Sequence, residues 1–541
     1  MMKIGFGKAR ITSFIPGAVF FGYGKPSQKA KFVLDELYAR TIFFKNDEET
    51  LLYVNCELGC ITHLLREKVL EKLAQNPTFK TITKKNFILT AQHTHSAPGG
   101  MDDHPLYNFP NGGQRKDVLD QVSQGILSSI TLAFENIQNG KVYWKHGRFN
   151  ESAPVAFNRS LKSFLSNKDI STNRDWNERN SVDRMMRMVH IVREKDEGSI
   201  NWFGVHTTSM SNRNCGISSD NKGHASGLLE KDHQAIAIFA QEKCGDVSPS
   251  FRYVRRYREN TGPHNDDISN CHFNGRLQFE KAQDILKKQG NELSSQIRSL
   301  HQIKKLSEVK IHPQVREKYK KIGIKINENQ TAVKGAMGID FIKGTKDGQG
   351  LHPLLAEPIR LITKMTLKLQ MIFNKSFAPE TYAYQHSFNL AQSTKSIFLQ
   401  TGDKKVVGFS SPIILYPIRF FDKIVNTFLI QHFKGELEKS SSWIREDLNF
   451  QLSTIGELAI ISLPFEITTH AGRRLILQIK EELEKKGIKH FVINTYANGY
   501  AGYVTTPEEY DCQAYEGGHT LFGKWTLPAI ESIFMKFAKE L

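Results

Sequence analysis

The chain contains no run of about 18 apolar residues, which excludes an ordinary membrane-spanning helix. Its first ten residues, Met1 to Arg10, lack the apolar core of roughly 7 to 15 residues that a secretory leader needs. Sec export is therefore disfavoured, and the expected location is cytoplasmic, or outside the cell by a leaderless route. Cysteine is scarce: Cys56, Cys60, Cys215, Cys244, Cys271 and Cys512 are scattered through 541 residues without a CxxC spacing. That excludes a disulfide scaffold and implies reduced, mostly buried thiols. Walker, zinc-finger and RNP patterns are absent, so nucleic acid is not expected as a partner. Acidic residues are also short in number, 56 against 73 Lys and Arg, for a net charge of +17. Such an excess favours peripheral contact with an anionic surface, of which a membrane is the remaining candidate.

What is present reads as α/β. The length suggests two to four lobes or one large α/β unit, and no repeat of about 20 to 50 residues is evident. Short apolar, β-favouring runs occur at Thr41 to Phe44, Leu51 to Val54, 86 to 91, Met188 to Val192, Ile200 to Phe203 and Leu458 to Leu463. Helical spacing of Leu527, Ile530, Ile533, Phe534 and Phe537 predicts a docked helix at the end. The basic excess concentrates in Val254 to Arg258 and in the stretch from Ile303 to Lys325. In the latter, Val315, Tyr319 and Ile322 mark a helix with a solvated basic face. Ser166 to Asn180 reads as a surface loop and Gly344 to Gly350 as a turn.

Chemistry concentrates where these strands end. His93 and His95 follow the 86 to 91 strand and precede Pro98-Gly99-Gly100, and residues i and i+2 of a strand share a face, so the two imidazoles can converge. With 19 histidines, one His-x-His pair is expected by chance at roughly 0.7 per chain, so the pair alone proves little. His206 sits at the end of another apolar strand, where a lone histidine is usually a satisfied core residue. Ser248 lies before a proline-enforced turn, Glu466 lies between a strand and an amphipathic helix, and Tyr503 and Tyr515 fall in an aromatic, Gly-rich segment. Each has an ordinary structural explanation: turn chemistry, the helix dipole, and packing.

Taken in order, however, HTHSAPGG from His93, NWFGVHTTSM from Asn201, SSDNKG from Ser218, GDVSP from Gly245, GRLQFEKA from Gly275, AGRRL from Ala471, and YVTTPEEY with YEGGHTLFG from Tyr503 resemble the neutral ceramidase family. The resemblance covers roughly residues 4 to 526. It implies one large catalytic domain, residues 1 to 541, with central mixed β-sheets flanked by helices and without the family's carboxyl-terminal immunoglobulin-like domain.

It also implies a zinc-dependent amidohydrolase that splits ceramide, or a related N-acyl lipid, into a fatty acid and a sphingoid base. His93, His206, Glu466 and Tyr503 take the positions of the Zn2+ ligands, a donor set suited to that ion. The ion would polarise the amide carbonyl and acidify a bound water. His95, Arg159 and Tyr515 take positions that hydrogen-bond substrate or transition-state oxygen. Ser248 takes the catalytic serine position, as nucleophile or as a group that orients a substrate hydroxyl, and Asp246 is expected to hold the turn. Ala97, Thr207, Lys243 and Ser250 depart from the family pattern, and the last two are expected to alter the acyl or headgroup pocket. An amidase for another N-acyl lipid and a non-catalytic lipid-binding relative are the alternatives that the pattern leaves open.

Overall fold

The structure is a computed structural model that describes residues 2–172, 181–232, 234–420 and 422–541. Two sheets lie face to face. The larger runs, in spatial order, through the strands Ile236–Ala240, Glu197–Trp202, Met185–Arg193, Ile137–Arg148, Met2–Arg10, Tyr38–Lys45, Thr50–Cys56 and Phe87–Ala91. The smaller runs through Ile297–Lys305, Asp447–Ile455, Leu458–Ser462 and His490–Asn494.

Alternation along each strand builds the layers, because successive side chains point to opposite faces. Ile42, Phe44, Tyr53, Ile88, Val189 and Ile200 face Leu458, Ile460 and Val492 of the smaller sheet in one shared core. Their neighbours Phe43, Leu52, Val54, Phe87 and Leu89 turn outward into a second core beneath the helices His63–Ala74 and Lys116–Glu135. Ala459, Ile461 and Ile493 turn outward on the other side, under Thr469–Glu484 and the terminal helix Thr526–Glu540. Mixed sheets between helical layers are therefore observed, as expected, and the six strand segments and the closing helix fall where their patterns place them.

Within these two sheets most pairings are antiparallel, but three neighbours are parallel: Thr50–Cys56 with Phe87–Ala91, Glu197–Trp202 with Ile236–Ala240, and Leu458–Ser462 with His490–Asn494. Ligands in α/β sheets gather beyond the carboxyl ends of parallel strands. The loops that carry His93, His206, Ser248, Glu466 and Tyr503 each follow one of these strands.

Two local expectations need amendment or bounding. The stretch from Ser166 to Asn180 is not simply a loop: Lys168–Thr172 is a helical turn. Asp169 pins it by accepting hydrogen bonds from Arg474 at 2.6 and 3.1 Å and contacting His470 at 2.9 Å, while 173 to 180 lie outside the described residues. Gly344 to Gly350 is a turn as expected, closed into a hairpin by Gly344–Gln349 and Thr345–Gly348 pairs. The helix Pro313–Lys321 buries Val315 and Tyr319 and leaves Lys320 and Lys321 in solvent. All six cysteines are free and four are buried. Among the described residues no helix is long and apolar enough to cross a membrane.

One charged group ties the larger sheet to its helices. Arg40, 3% exposed, contacts Glu57 at 2.5 Å and Glu230 at 2.6 Å. Removing a single partner from a buried ion pair strands the remaining charges, at a cost of about 3–5 kcal/mol. Arg40→Met is therefore expected to lower the unfolding free energy, measured by denaturant titration, by an amount of that order, and Arg40→Met with Glu57→Gln and Glu230→Gln to recover much of it.

Candidate functional site

The Phe87–Ala91 strand ends two residues before His93, and His93 is not in extended backbone: its φ is +73°. A non-glycine residue in this left-handed region costs roughly 1–2 kcal/mol. Several contacts hold it there. Its backbone N–H donates to Leu58 O at 2.9 Å, its Nδ1 meets Gly59 O at 2.5 Å, and its ring stacks on Tyr496 at a centroid distance of 4.1 Å. His93 and His95 do converge, with Nε2 atoms 3.0 Å apart. They converge through this turn, however, and not through the alternation of a strand, which corrects the expected cause. The His95 ring lies against Gly22, where an added Cβ would come within 2.3 Å of it, so the passing backbone tolerates no side chain.

His206 is delivered by the loop after Glu197–Trp202, and its Nδ1 donates to Val247 O at 2.9 Å. Glu466 and Tyr503 sit opposite each other in a two-residue parallel ladder. Glu466 Oε2 lies 3.1 Å from His206 Nε2 and 3.5 Å from His93 Nε2, while Oε1 accepts from Tyr500 at 2.5 Å. Tyr503 Oη lies 3.5 Å from His206 Nε2 and 3.1 Å from Arg159 Nη2. Residues from four distant stretches thus meet within one buried cluster.

Arg159 is held by Glu516 at 2.9 Å and Gly245 O at 2.9 Å, and its guanidinium lies over the Tyr515 ring at 5.3 Å. Ser248 stands in a short antiparallel pairing with Phe157, two residues before Arg159, and its Oγ accepts from Ser250 N at 2.9 Å. It is one residue from the carbonyl that holds His206. Asp246 accepts from Thr469 N at 2.8 Å and from Asn158 at 2.7 Å. The departing residues are all engaged. Thr207 donates to Gln92 O at 2.6 Å, Lys243 is buried beside Asp183 at 2.9 Å, and Ala97 packs in the core.

The electrostatics suit a cation. Gly59 O and Val247 O fix the Nδ1–H tautomers of His93 and His206, so both Nε2 lone pairs face inward; this is the outer-shell arrangement of metal-binding imidazoles. Glu466 Oε2 is buried without a hydrogen-bond partner, and facing lone pairs on Nε2 atoms and a carboxylate repel unless a positive charge lies between them. Burial opposes ionisation of Glu466, and only positive charge at the His93 and His206 nitrogens holds its carboxyl below the usual range, a charge that rings with inward lone pairs leave to a bound cation. Burial and Glu466 push the Tyr503 phenol up. His93, His95 and His206 present ring nitrogens all within 4.8 Å of one another, a geometry compatible with a metal.

A cavity of about 370 Å³ opens from His95, Arg159, Tyr503 and Tyr515, and its walls are mostly apolar, including Phe341, Leu351, Ile359, Phe398, Leu415 and Phe428. Residue-by-residue reading of the sequence missed Tyr500, Glu516, His519 and Asp347. His519 lines a second, smaller cavity of about 100 Å³ that shares His95, Phe109, Tyr503 and Tyr515 with the first. The first three carry a faint signal, since they fall inside or beside the Gly-rich aromatic segment.

The chain matches the family model described as neutral/alkaline non-lysosomal ceramidase, N-terminal, over residues 2–419 and 426–532. It is 30% identical to the neutral ceramidase of Pseudomonas aeruginosa, covering 100% of this chain and 72% of that protein. It is 26% identical to neutral ceramidase 1 of Arabidopsis thaliana, covering 99% and 75%. Among solved structures, a ceramidase complexed with C2 superposes with a TM-score of 0.79 at 28% identity, over 99% of this chain and 75% of that one. The crystal structure of the Pseudomonas aeruginosa neutral ceramidase gives 0.76 at 28% identity, over 99% and 74%.

Burial, aided by Arg159 and opposed by Glu466, lowers the His206 imidazole from 6.5 to about 4. Between those values the unfolded chain takes up a proton that the folded chain refuses, so this group costs stability as the pH falls through that window. In the metal-free protein the His206 ring resonance is expected to titrate near pH 4. His206→Gln is expected to flatten the acid limb of the stability profile measured by denaturant.

Proposed function

Because the chain belongs to the neutral/alkaline non-lysosomal ceramidase family, we propose that it hydrolyses the N-acyl amide bond of ceramide, giving a fatty acid and a sphingoid base. The observation that carries this reading is the meeting of His93, His206, Glu466 and Tyr503 at the polar end of an apolar cavity. These four residues would hold Zn2+, the ion that their nitrogen and oxygen donors suit. When bound there, zinc supplies Lewis acidity toward an amide carbonyl and toward water.

The chain's own residues do the rest. Arg159, fixed on Glu516, presents its guanidinium to the oxygen on which negative charge develops, and Tyr515 donates beside it. His95, neutral because burial and the neighbouring imidazoles hold its pKa well below the ordinary value, hydrogen-bonds substrate oxygen. Ser248 orients the substrate beside the carbonyl that anchors His206. The apolar walls take up the chains and exclude water.

A lipid substrate must be drawn from a surface, and the cavity wall continues onto one. The helix Pro353–Phe377 contributes Ile359 to the wall, yet Leu361, Leu369, Ile372, Phe373 and Phe377 on its outer face are 59–73% exposed. Lys364, Lys368 and Lys375 flank that stripe, the pattern of a helix that lies in a membrane interface. The basic hairpin that carries Arg255, Arg256 and Arg258 packs against the Lys346 turn beside the cavity. This face would dock on anionic lipid, where each basic residue near the surface adds about 1 kcal/mol.

Three outcomes test the reading. Purified protein should carry zinc and release fatty acid from ceramide; metal-loaded protein that binds ceramide and never cleaves it overturns the hydrolase reading. His93→Ala should lose both metal and activity and Ser248→Ala only activity, with Arg159→Ala lowering kcat by about 10²–10³-fold at unchanged zinc content. Leu369→Glu with Phe373→Glu should reduce sedimentation with phosphatidylserine vesicles and cleavage of vesicle-borne ceramide, while cleavage of a short-chain ceramide free in solution is retained.

A further inference from the structure

Asp347 occupies the tip of the hairpin formed by Gly344–Thr345 and Gly348–Gln349, where its backbone N–H donates to Thr345 Oγ1 at 3.1 Å. The turn drives its side chain into the cavity, beside His95, Arg159, Tyr503 and Tyr515, where only 4% of it is exposed. Neither carboxylate oxygen makes a hydrogen bond of good geometry. The guanidinium facing it, Arg159 Nη1, is 3.8 Å from Oδ2, and its other nitrogens are committed to Tyr503, Gly245 and Glu516. Burial raises the Asp347 carboxyl, opposed by Arg159 and by the neighbouring Ser248 hydroxyl. A buried acceptor with both oxygens unmatched is costly unless a donor arrives with a ligand.

The position says which donor. Arg159 spans the gap between Tyr503 and Asp347, so an amide seated at the histidine and carboxylate cluster places its nearest substituents one guanidinium width from Asp347. The acyl side of that amide is hydrocarbon and has nothing to donate. The amine side of a sphingoid amide carries hydroxyls within a few bonds of the nitrogen.

We propose that Asp347 is a headgroup-recognition residue that accepts a hydrogen bond from a hydroxyl on the amine side of the substrate and turns away acyl amides bearing a carboxylate there. The assignment rests on the amidase reading above and adds substrate selection to it. A site built to bond a substrate hydroxyl discriminates strongly against an analogue that lacks it, because the acceptor is then left buried and unpaired. A second anion beside Asp347 and Glu516 would be repelled.

The test uses zinc-loaded wild type, Asp347→Asn and Asp347→Ala in detergent micelles. The substrates are ceramide, its analogues lacking the primary or the secondary hydroxyl, and an N-acyl amino acid of equal chain length. Asp347→Ala should lower kcat/KM for ceramide by about 10- to 100-fold, mostly through KM, and by less than about twofold for one of the two deoxy analogues. Asp347→Asn, whose amide oxygen still accepts, should lose less on ceramide and gain on the N-acyl amino acid. Melting temperature and zinc content confirm that each variant is folded, and the Asn variant, closest in shape, serves if the Ala variant is not. Equal losses on every substrate, or no loss on ceramide, overturn the role of Asp347 while leaving hydrolysis intact. Wild type inert toward all four substrates overturns the amidase reading itself.

Discussion

The site depends on very short stretches of backbone pairing between loops. Thr94 bridges Thr207 in parallel, Glu466–Ile467 pairs with Tyr503–Val504 in parallel, and Val247–Ser248 pairs with Phe157–Asn158 in antiparallel register. The first bridge joins the His93 turn to the His206 loop. The second sets a carboxylate opposite a phenol, and the third places Ser248 beside the strand that Arg159 follows. Side-chain contacts alone would leave four loops from a chain of 541 residues free to drift. A ladder of even two residues fixes their spacing, and a site 1 Å too loose loses much of its chemistry. The sheets beneath serve this arrangement: their three parallel pairs aim the loops at one another from the carboxyl ends of the strands.

Charge is distributed around that frame so that one buried guanidinium faces two buried carboxylates. Glu516 and Asp347 face Arg159 from different directions, and Arg159 in turn reaches Tyr503, which stands over the histidines. In a low-dielectric pocket these couplings are far stronger than in water, which is also why an unmatched member is conspicuous. Glu466 Oε2 and the Asp347 oxygens are unmatched for different reasons: the first faces ring nitrogens and asks for a cation, while the second faces the cavity and asks for a hydroxyl.

Much of the fold was legible in the sequence, because alternating apolar residues must put Ile42 and Phe44 on one face and Phe43 on the other whatever the topology. Strand order and the parallel pairings were not, since they arise from pairings that skip long stretches of chain, such as Met2 with Gly140, Ile297 with Ile455 and, in parallel, Leu52 with Phe87. His93 and His95 were visible as a pair, but the spacing suggested a flat strand, and only the fold shows a left-handed residue braced by Gly59 and Tyr496. Glu466 and Tyr503 looked like a helix-start residue and a packing aromatic, and they were legible only as members of an ordered series of motifs. Asp347 sat in a Gly-rich turn that fully explained its local sequence; its burial depends on how that turn docks against Arg159, which no local pattern encodes.

The polar cluster and the exposed apolar helix are two ends of one physical problem. A substrate with two hydrocarbon chains gains nothing by entering water on its way to a buried site, so the route must stay apolar from surface to floor. Ile359 lies on the cavity wall while Leu361 and Ile362, barely a turn further along the same helix, face solvent. The same helical periodicity that seals the wall therefore continues the apolar path outward. At the inner end the path stops at Arg159, Tyr515 and Asp347, where chains can no longer advance and only polar atoms find partners. On the proposed reading, hydrocarbon is carried in by nondirectional burial, and the amide is positioned at the end by the few directional groups that the loops bring together.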